Sequence, residues 1–219
     1  MKWTWSKQHK LFVGIALLSL FHLIGLIGLQ TIYANKFAAL TSLNLFFAFI
    51  LVLLFAEFWH KNLGIFLMLS FIIGMLVELV GVHTGFPFGE YYYTDKLHLL
   101  VWGVPIIIGL NWFLLSYAIL SLFNTYFKSL TYWLKVGLSA LLMTGIDWLI
   151  EPFAIHNALW LWTSERVPYE NYLSWFIISG FLFALAYKLL PEEKNFLALS
   201  LVFILIIFFG MNNLFYLVF

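Results

Sequence analysis

Residues 131–151 read TYWLKVGLSALLMTGIDWLIE, an apolar run of membrane-spanning length that carries two acidic residues near its end. A helix needs roughly 20 apolar residues to cross the hydrocarbon core of a bilayer. Six further segments meet this criterion, at 11–30, 37–57, 63–83, 100–123, 171–190 and 196–218. The sequence therefore predicts an all-α polytopic membrane protein, with seven transmembrane helices in a single integral membrane domain over residues 1–219.

The composition supports this class and excludes several functions. The chain is 64% hydrophobic and 10% charged, whereas soluble domains have about 50% apolar and about 25% charged residues. A net charge of +1 predicts no nucleic acid partner. With no cysteine, disulfides, thiolate metal sites and a cysteine nucleophile are excluded. The basic start before the first apolar run resembles a signal peptide, but no small-residue cleavage site follows, which favours a retained first helix.

The positive charges indicate the orientation of the helices. Loops on the cytoplasmic side of membrane proteins carry an excess of Lys and Arg. The side that contains the N-terminus holds Lys2, Lys7, Lys10, Lys61, Lys128, Lys135, Lys188 and Lys194, and the other side holds Lys36, Lys96 and Arg166. We therefore expect a cytoplasmic N-terminus.

Three acidic residues lie inside predicted spans, where each costs on the order of 2.5–3.5 kcal/mol. Asp147 and Glu151 are four residues apart and therefore share one helix face, and Pro152 is expected to end that helix. Glu78 lies between Gly74 and Gly81, which would let another helix pack closely against the acid. The predicted threading puts all three acids, and both long loops, toward one side of the membrane. We interpret them as one site; the alternative is a buried hydrogen-bonded anchor.

Clustered carboxylates indicate acid–base chemistry. In a low-dielectric pocket they do not all ionise cheaply, so at least one is expected to carry a proton beside an ionised neighbour, the arrangement that general acid–base catalysis needs. No two of the six histidines are paired at helical spacing, which disfavours a metal, although His83, His98 and His156 with the acids could still bind one ion. The sequence has no phosphate-binding loop or nucleotide fingerprint, and we expect no cofactor. Nearby aromatic rings would suit a carbocation intermediate.

Four stretches of the sequence form a combined motif: ELVGVHTGFPFGEYYY at 78–93, GVPIIIGLNW at 103–112, DWLIEP at 147–152 and WLW at 160–162. Together they resemble the carotenoid hydratase family, which includes the CruF-type 1′-hydroxylases of gamma-carotene and lycopene and the bisanhydrobacterioruberin hydratases. The similarity extends from about residue 70 to 180. It implies hydration of the terminal isopropylidene double bond of an acyclic carotenoid end, giving a tertiary alcohol without oxygen or a redox cofactor.

The residues and the resemblance together give a mechanistic hypothesis. One of the three acids protonates the alkene, a remaining carboxylate and aromatic rings hold the cation, and a second carboxylate or His83 activates water. The individual acid and base are not assigned. The expected catalytic residues are Glu78, Asp147, Glu151 and His83. The expected substrate-binding residues are Tyr91, Tyr93, Trp102, Asn111, Trp160 and Trp162.

Two other functions remain open from the sequence. A small proton-coupled transporter or receptor would be favoured by discontinuous helices, and Pro105 is a weak hint of one. A structural membrane subunit would need a protein partner. The expected partners of the hydratase are a lipid-soluble carotenoid and membrane lipid in the bacterial cytoplasmic membrane; no oligomeric state is predicted.

Overall fold

The computed structural model describes residues 7–56, 59–164 and 166–218. Its helices are α1 (Lys7–Gly28), α2 (Ala34–Ala39), α3 (Thr41–Leu54), α4 (Lys61–Thr84), α5 (Ile106–Tyr126), α6 (Tyr132–His156), α7 (Tyr169–Leu189) and α8 (Phe196–Val218). Short strands lie in the two long loops: β1 (Tyr91–Tyr93), β2 (Leu100–Val101), β3 (Val104–Pro105) and β4 (Trp160–Trp162). In the described part of the chain, six helices are long and apolar enough to cross a membrane. The prediction of an all-α, multi-pass membrane protein is confirmed.

The predicted second span, 37–57, corresponds to α2 and α3, and Glu57 lies outside the described residues. The longer helix, α3, has 14 residues and is about 21 Å long, shorter than a hydrocarbon core of roughly 30 Å. Its two ends nevertheless contact opposite ends of the bundle. Ser42 Oγ donates to the Leu97 carbonyl in the first long loop at 2.6 Å, and Asn195 Nδ2 donates to the Val52 carbonyl at 2.8 Å.

Helix α5 is the centre of the bundle. In the stretch of α5 that is long enough to cross a membrane, 83% of the residues are buried, against 22–44% in the other five long helices. A helix that is hydrophobic all round is stable both inside a bundle and facing lipid, so the central position of α5 follows from how the other helices pack around it. Its fully buried Trp112, Phe113 and Tyr117 contribute much of the apolar area that packs the bundle together.

The two long loops pair with each other over one end of the bundle. Strand β1 is antiparallel to β4, with Tyr91 opposite Trp162 and Tyr93 opposite Trp160. Because alternate residues of a strand point to the same face, this register places four aromatic side chains on one face of the two-stranded sheet. Strands β2 and β3 form a separate antiparallel pair.

Two predicted helix boundaries are wrong. The helix predicted from residue 100 begins at Ile106, because residues 100–105 form the β2–β3 pair. Pro152 does not end α6, which continues to His156. A proline removes one backbone donor, and neighbouring helices in a membrane bundle can satisfy the freed carbonyl, so a single proline near a helix end does not stop it.

Candidate active site

The three acidic residues of the spans line one cavity beneath the β1–β4 sheet. Glu78 comes from α4, and Asp147 and Glu151 come from α6; each is 3% exposed. The cavity has a volume of about 80 Å³ and is otherwise lined mainly by aromatic and aliphatic side chains. The helix spacing explains why both acids of α6 face it, since positions i and i+4 lie on the same helix face.

Glu78 accepts three hydrogen bonds. The Tyr91 and Tyr93 hydroxyls donate to Oε2 at 2.6 and 2.8 Å, and Trp112 Nε1 donates to Oε1 at 3.3 Å. An ionised carboxylate can only accept hydrogen bonds, and these donors supply both of its oxygens. This shell is suited to holding a negative charge.

The two tyrosines remain neutral donors at physiological pH. Burial and the negative charge of Glu78 raise the pKa of the Tyr91 hydroxyl above its usual range near 10. The same two causes raise the pKa of the Tyr93 hydroxyl. Both phenols therefore keep the proton that they donate to Glu78.

The two acids of α6 each have an oxygen that the described residues leave open. Trp160 Nε1 and Trp162 Nε1 both donate to Glu151 Oε2, at 3.1 and 2.9 Å. Asn171 Nδ2 donates to Asp147 Oδ2 at 2.9 Å. No described side chain or backbone group donates to Glu151 Oε1 or Asp147 Oδ1. These two oxygens are therefore available to a substrate or to water in the cavity.

The β1–β4 sheet holds two carboxylates from different helices at once. Its β1 residues Tyr91 and Tyr93 donate to Glu78, while its β4 residues Trp160 and Trp162 donate to Glu151. The rings pack in cross-strand pairs, with centroids 5.1 Å apart for Tyr91 and Trp162 and 5.8 Å apart for Tyr93 and Trp160. The pairing of the two loops thus fixes the carboxylates relative to each other.

The glycine before Glu78 allows the close packing that the sequence predicted. A Cβ at Gly74 would lie 2.5 Å from the indole of Trp112, far inside van der Waals contact. Trp112 can therefore reach Glu78 only because residue 74 has no side chain. On its other side Trp112 stacks on Trp175, with centroids 4.2 Å apart and planes 7° from parallel.

Most of the predicted substrate-binding residues line the cavity, namely Tyr91, Tyr93, Asn111, Trp160 and Trp162. Four of the five also donate a hydrogen bond to a carboxylate, a contact that the sequence did not predict. Their hydrogen bonds orient the acids, and their rings still form part of the cavity wall. Asn111 is half-buried at the wall.

His83 and Trp102, predicted at the same site, lie outside the cavity. Both are exposed, Trp102 to 77%, and they contact each other through His83 Nε2 and the Trp102 carbonyl at 3.1 Å. His83 follows Glu78 by five residues, which turns its side chain roughly 140° around the helix. The prediction that His83 activates water beside the acids, and that Trp102 contacts the cation, is therefore not supported by their positions.

Sequence reasoning missed two of the hydrogen-bond donors, Trp112 and Asn171. Asn171 was the more detectable, because it is a polar residue at the start of an apolar run and on the same side of the membrane as the acids.

The histidines considered as metal ligands are dispersed: His98 and His156 are exposed, and His156 stacks on Tyr216. Within residues 7–56, 59–164 and 166–218, no group of three His, Cys, Asp or Glu side chains is arranged to hold a metal ion.

These features define a multi-pass membrane protein with three buried acids held by neutral donors under an aromatic cap. The sequence profile of the family described as carotenoid biosynthesis protein matches residues 38–218, and the chain belongs to that family. Its role is therefore in carotenoid biosynthesis.

Part of the chain is similar to one curated enzyme that acts on a carotenoid. The chain is 30% identical over 115 residues to the bisanhydrobacterioruberin hydratase of Haloarcula japonica; the alignment covers 48% of this chain and 37% of the hydratase. The chain thus matches little more than a third of that relative's length. The likeness supports a carotenoid-modifying enzyme, in line with the resemblance found in the sequence. No solved structure matches the chain.

Proposed function

We propose that the protein is a carotenoid hydratase, a hydro-lyase that adds water across the terminal isopropylidene double bond of an acyclic carotenoid end. The substrate end is of the lycopene or gamma-carotene type, and the product is a tertiary 1′-alcohol. The observation that carries this proposal is the difference in hydrogen bonding among the three buried acids. Two of them, Asp147 and Glu151, keep one oxygen open to a shared cavity. The family and the hydratase relative support the reaction class.

The number of hydrogen-bond donors suggests a role for each acid. Donors stabilise the ionised form of a carboxyl group. Glu78 accepts from three donors, Glu151 from two and Asp147 from one. We therefore assign Asp147 as the proton donor, Glu151 as the base and Glu78 as a permanent anion.

In the first step, the proton of Asp147 is transferred to the CH carbon of the terminal double bond. The π electron pair forms the new C–H bond and leaves a tertiary cation on the dimethyl carbon. The Glu78 and Asp147 carboxylates stabilise this cation by charge, and the ring faces of the tyrosines and tryptophans stabilise it further. Because all these groups are fixed before the reaction, no reorganisation is needed as the positive charge develops.

In the second step, water captures the cation. Its oxygen forms the C–O bond, and Glu151 accepts the released proton through its open Oε1. The sum of the two steps is the addition of one water molecule. Return of the proton from Glu151 to Asp147, one helical turn away, restores the starting state.

The proposed membrane arrangement follows from the ends of the bundle. We propose seven crossings in a single membrane domain over residues 1–219, with α3 as the short second crossing, because its ends contact loops at opposite ends of the bundle. The Lys-rich end, which includes Lys7, Lys10 and Lys194, would face the cytoplasm of a bacterial cell. The acids would then lie near the non-cytoplasmic face of the membrane, where water is available.

The test is pigment analysis of bacteria that accumulate lycopene, or gamma-carotene in a parallel strain, and that express this chain. We expect a product heavier by one water at one or both ends, detected by chromatography and mass spectrometry. The matched control is Asp147→Asn, which should accumulate as folded protein and leave the pigment unchanged. If the wild-type chain is folded and neither pigment changes, the proposed reaction is refuted.

A further inference from the structure

The cavity that holds the acids is too small for a carotenoid. Its volume is about 80 Å³, whereas a cavity that accommodates benzene measures roughly 150 Å³. At most the reacting end group of a long polyene can lie inside it. The rest of the chain must leave the cavity through one of its walls, and the structure contains a second, larger pocket on one of them.

This second pocket, which we call the lateral pocket, lies between α1, α3 and α8 and has a volume of about 370 Å³. It shares five wall residues with the acid cavity: Thr41, Leu45, Phe153, Leu205 and Phe209. The two spaces are thus separated by single side chains, four of which are apolar. A different groove, between α4 and α7, measures about 560 Å³ but shares no lining residue with the acid cavity.

The lining of the lateral pocket suits a hydrocarbon. Apart from His22, Thr41 and Asn44, its described lining is apolar, and the His22 ring is held by the Leu18 carbonyl at 2.8 Å. Its rim residues Ile24 and Leu43 are 47% and 63% exposed on the outer surface of the bundle, which in a membrane is lipid. A lipid-dissolved chain can therefore enter sideways without crossing water.

We infer that the lateral pocket binds the polyene chain of the substrate, and that the carotenoid enters from the lipid between α1 and α3 with its end group reaching the acids past Leu45, Phe153 and Phe209. This inference rests on the proposed function, since it assigns the part of the same substrate that does not react. It predicts that the face between α1, α3 and α8 controls substrate binding, although it contains none of the three acids.

Gly25 offers a way to fill the lateral pocket without touching the acid cavity. It lines the pocket in the last turn of α1, and a Cβ built there would lie 3.5 Å from Phe208, an ordinary contact. Gly25→Leu should therefore fold and occupy space that the polyene needs. Ile24→Trp on the exposed rim is a second filling variant.

Two variants serve as controls. Gly210→Leu lies on α8, where a Cβ meets nothing within 4 Å, and is the matched control for Gly25→Leu. Val80→Phe fills the groove between α4 and α7 instead of the lateral pocket.

The experiment measures carotenoid bound per folded protein after purification from lycopene-accumulating bacteria, in the non-reacting Asp147→Asn background, together with product yield in the background with Asp147 intact. We expect Gly25→Leu and Ile24→Trp to lower both quantities by about tenfold, and Gly210→Leu and Val80→Phe to leave them unchanged. If Gly25→Leu fails to fold, the binding and product yield of Ile24→Trp test the inference.

Two results would overturn the inference while the proposed function stands: filling variants that bind and hydrate as well as their parents, or loss of binding in Val80→Phe instead. A wild-type chain that hydrates no carotenoid gives a different result, because it refutes the proposed function itself, whatever the filling variants do.

Discussion

Each end of the bundle contains carboxylates that accept hydrogen bonds, and the partners of these carboxylates differ between the two ends. At the Lys-rich end, Glu193 Oε2 lies 3.0 Å from His60 Nε2, and Glu193 Oε1 accepts from the Tyr117 hydroxyl at 2.7 Å. Asn124 also donates to the Glu193 backbone carbonyl. Both carboxylate oxygens are therefore engaged, and one partner can carry a positive charge.

At the opposite end, Glu78, Asp147 and Glu151 accept only from tyrosine, tryptophan and asparagine side chains. In the described part of the chain, no Lys, Arg or His forms an ion pair with any of the three. Under the proposed function, this difference separates a structural role for Glu193 from a chemical role for Asp147 and Glu151. Glu193 connects neighbouring elements of the bundle, whereas Asp147 and Glu151, each with an oxygen that accepts no hydrogen bond from the described residues, are the two acids that we propose exchange a proton.

The largest expected effect contrasts one acid from each end. Asp147→Asn removes the proposed proton donor and keeps the shape and the Asn171 contact region, so hydration should fall by roughly 10²- to 10⁴-fold. Glu193→Gln should leave the hydration rate essentially unchanged and lower thermal stability. Rates are measured on purified protein with added carotenoid. A rate loss in Glu193→Gln equal to that in Asp147→Asn would contradict the division between the two ends.

The next effect contrasts the tyrosines that donate to each carboxylate. Tyr93→Phe removes a hydrogen bond to the Glu78 anion, a contact worth about 1.5–3 kcal/mol, and should slow hydration by roughly 10- to 100-fold. Tyr117→Phe removes the comparable donor to Glu193 and should lower the unfolding temperature with little effect on rate. Both variants need kinetics and thermal unfolding in the same detergent. The comparison fails if Tyr117→Phe slows the reaction more than Tyr93→Phe.

A smaller effect concerns two glycines of α4. Gly74→Ala places a Cβ 2.5 Å from Trp112, so it should displace the indole, weaken its contact with Glu78 and cost about 1–3 kcal/mol of stability. Gly64→Ala, on the same helix near the Lys-rich end, meets nothing within 4 Å and should be neutral or slightly stabilising, because alanine favours the helix. Thermal unfolding distinguishes the two. Equal stability would show that Trp112 moves without cost.

The smallest expected effect is at His83. Because its side chain is exposed and contacts the Trp102 carbonyl rather than an acid, His83→Ala should hydrate carotenoid at the wild-type rate. The measurement is the same hydration assay. A large loss of rate would show that the C-terminal end of α4, which contains His83, moves toward the acids when substrate binds.

The sequence predicted the membrane class and the six long helices of the described residues, because both depend on local composition. An apolar run of sufficient length is stable in a bilayer whatever its neighbours are. The common depth of Glu78, Asp147 and Glu151 was also predictable, because depth follows from position along a span. The boundaries at Ile106 and His156 were not, since a strand pair and a tolerated proline depend on what packs nearby.

The roles of the aromatic residues show the limit of sequence reasoning most directly. Tyr91, Tyr93, Trp160 and Trp162 were correctly expected near the acids, but their hydrogen bonds follow from the pairing of two loops about seventy residues apart in the sequence. Trp112 and Asn171 became donors only through the packing of α5 and α7 against the acidic helices. His83 was misplaced because adjacency in sequence does not give the direction of a side chain.

By itself, then, the sequence determined that this chain is a multi-pass membrane protein with three acids at one depth, because the bilayer imposes length and hydrophobicity on each span separately. Only the tertiary structure decided which acid oxygens are engaged and which are open, which rings donate to them, and that an apolar pocket adjoins their cavity. Those features depend on side chains from α1, α3, α4, α5, α6, α7, α8 and two loops meeting at one place, and no single segment specifies such a meeting.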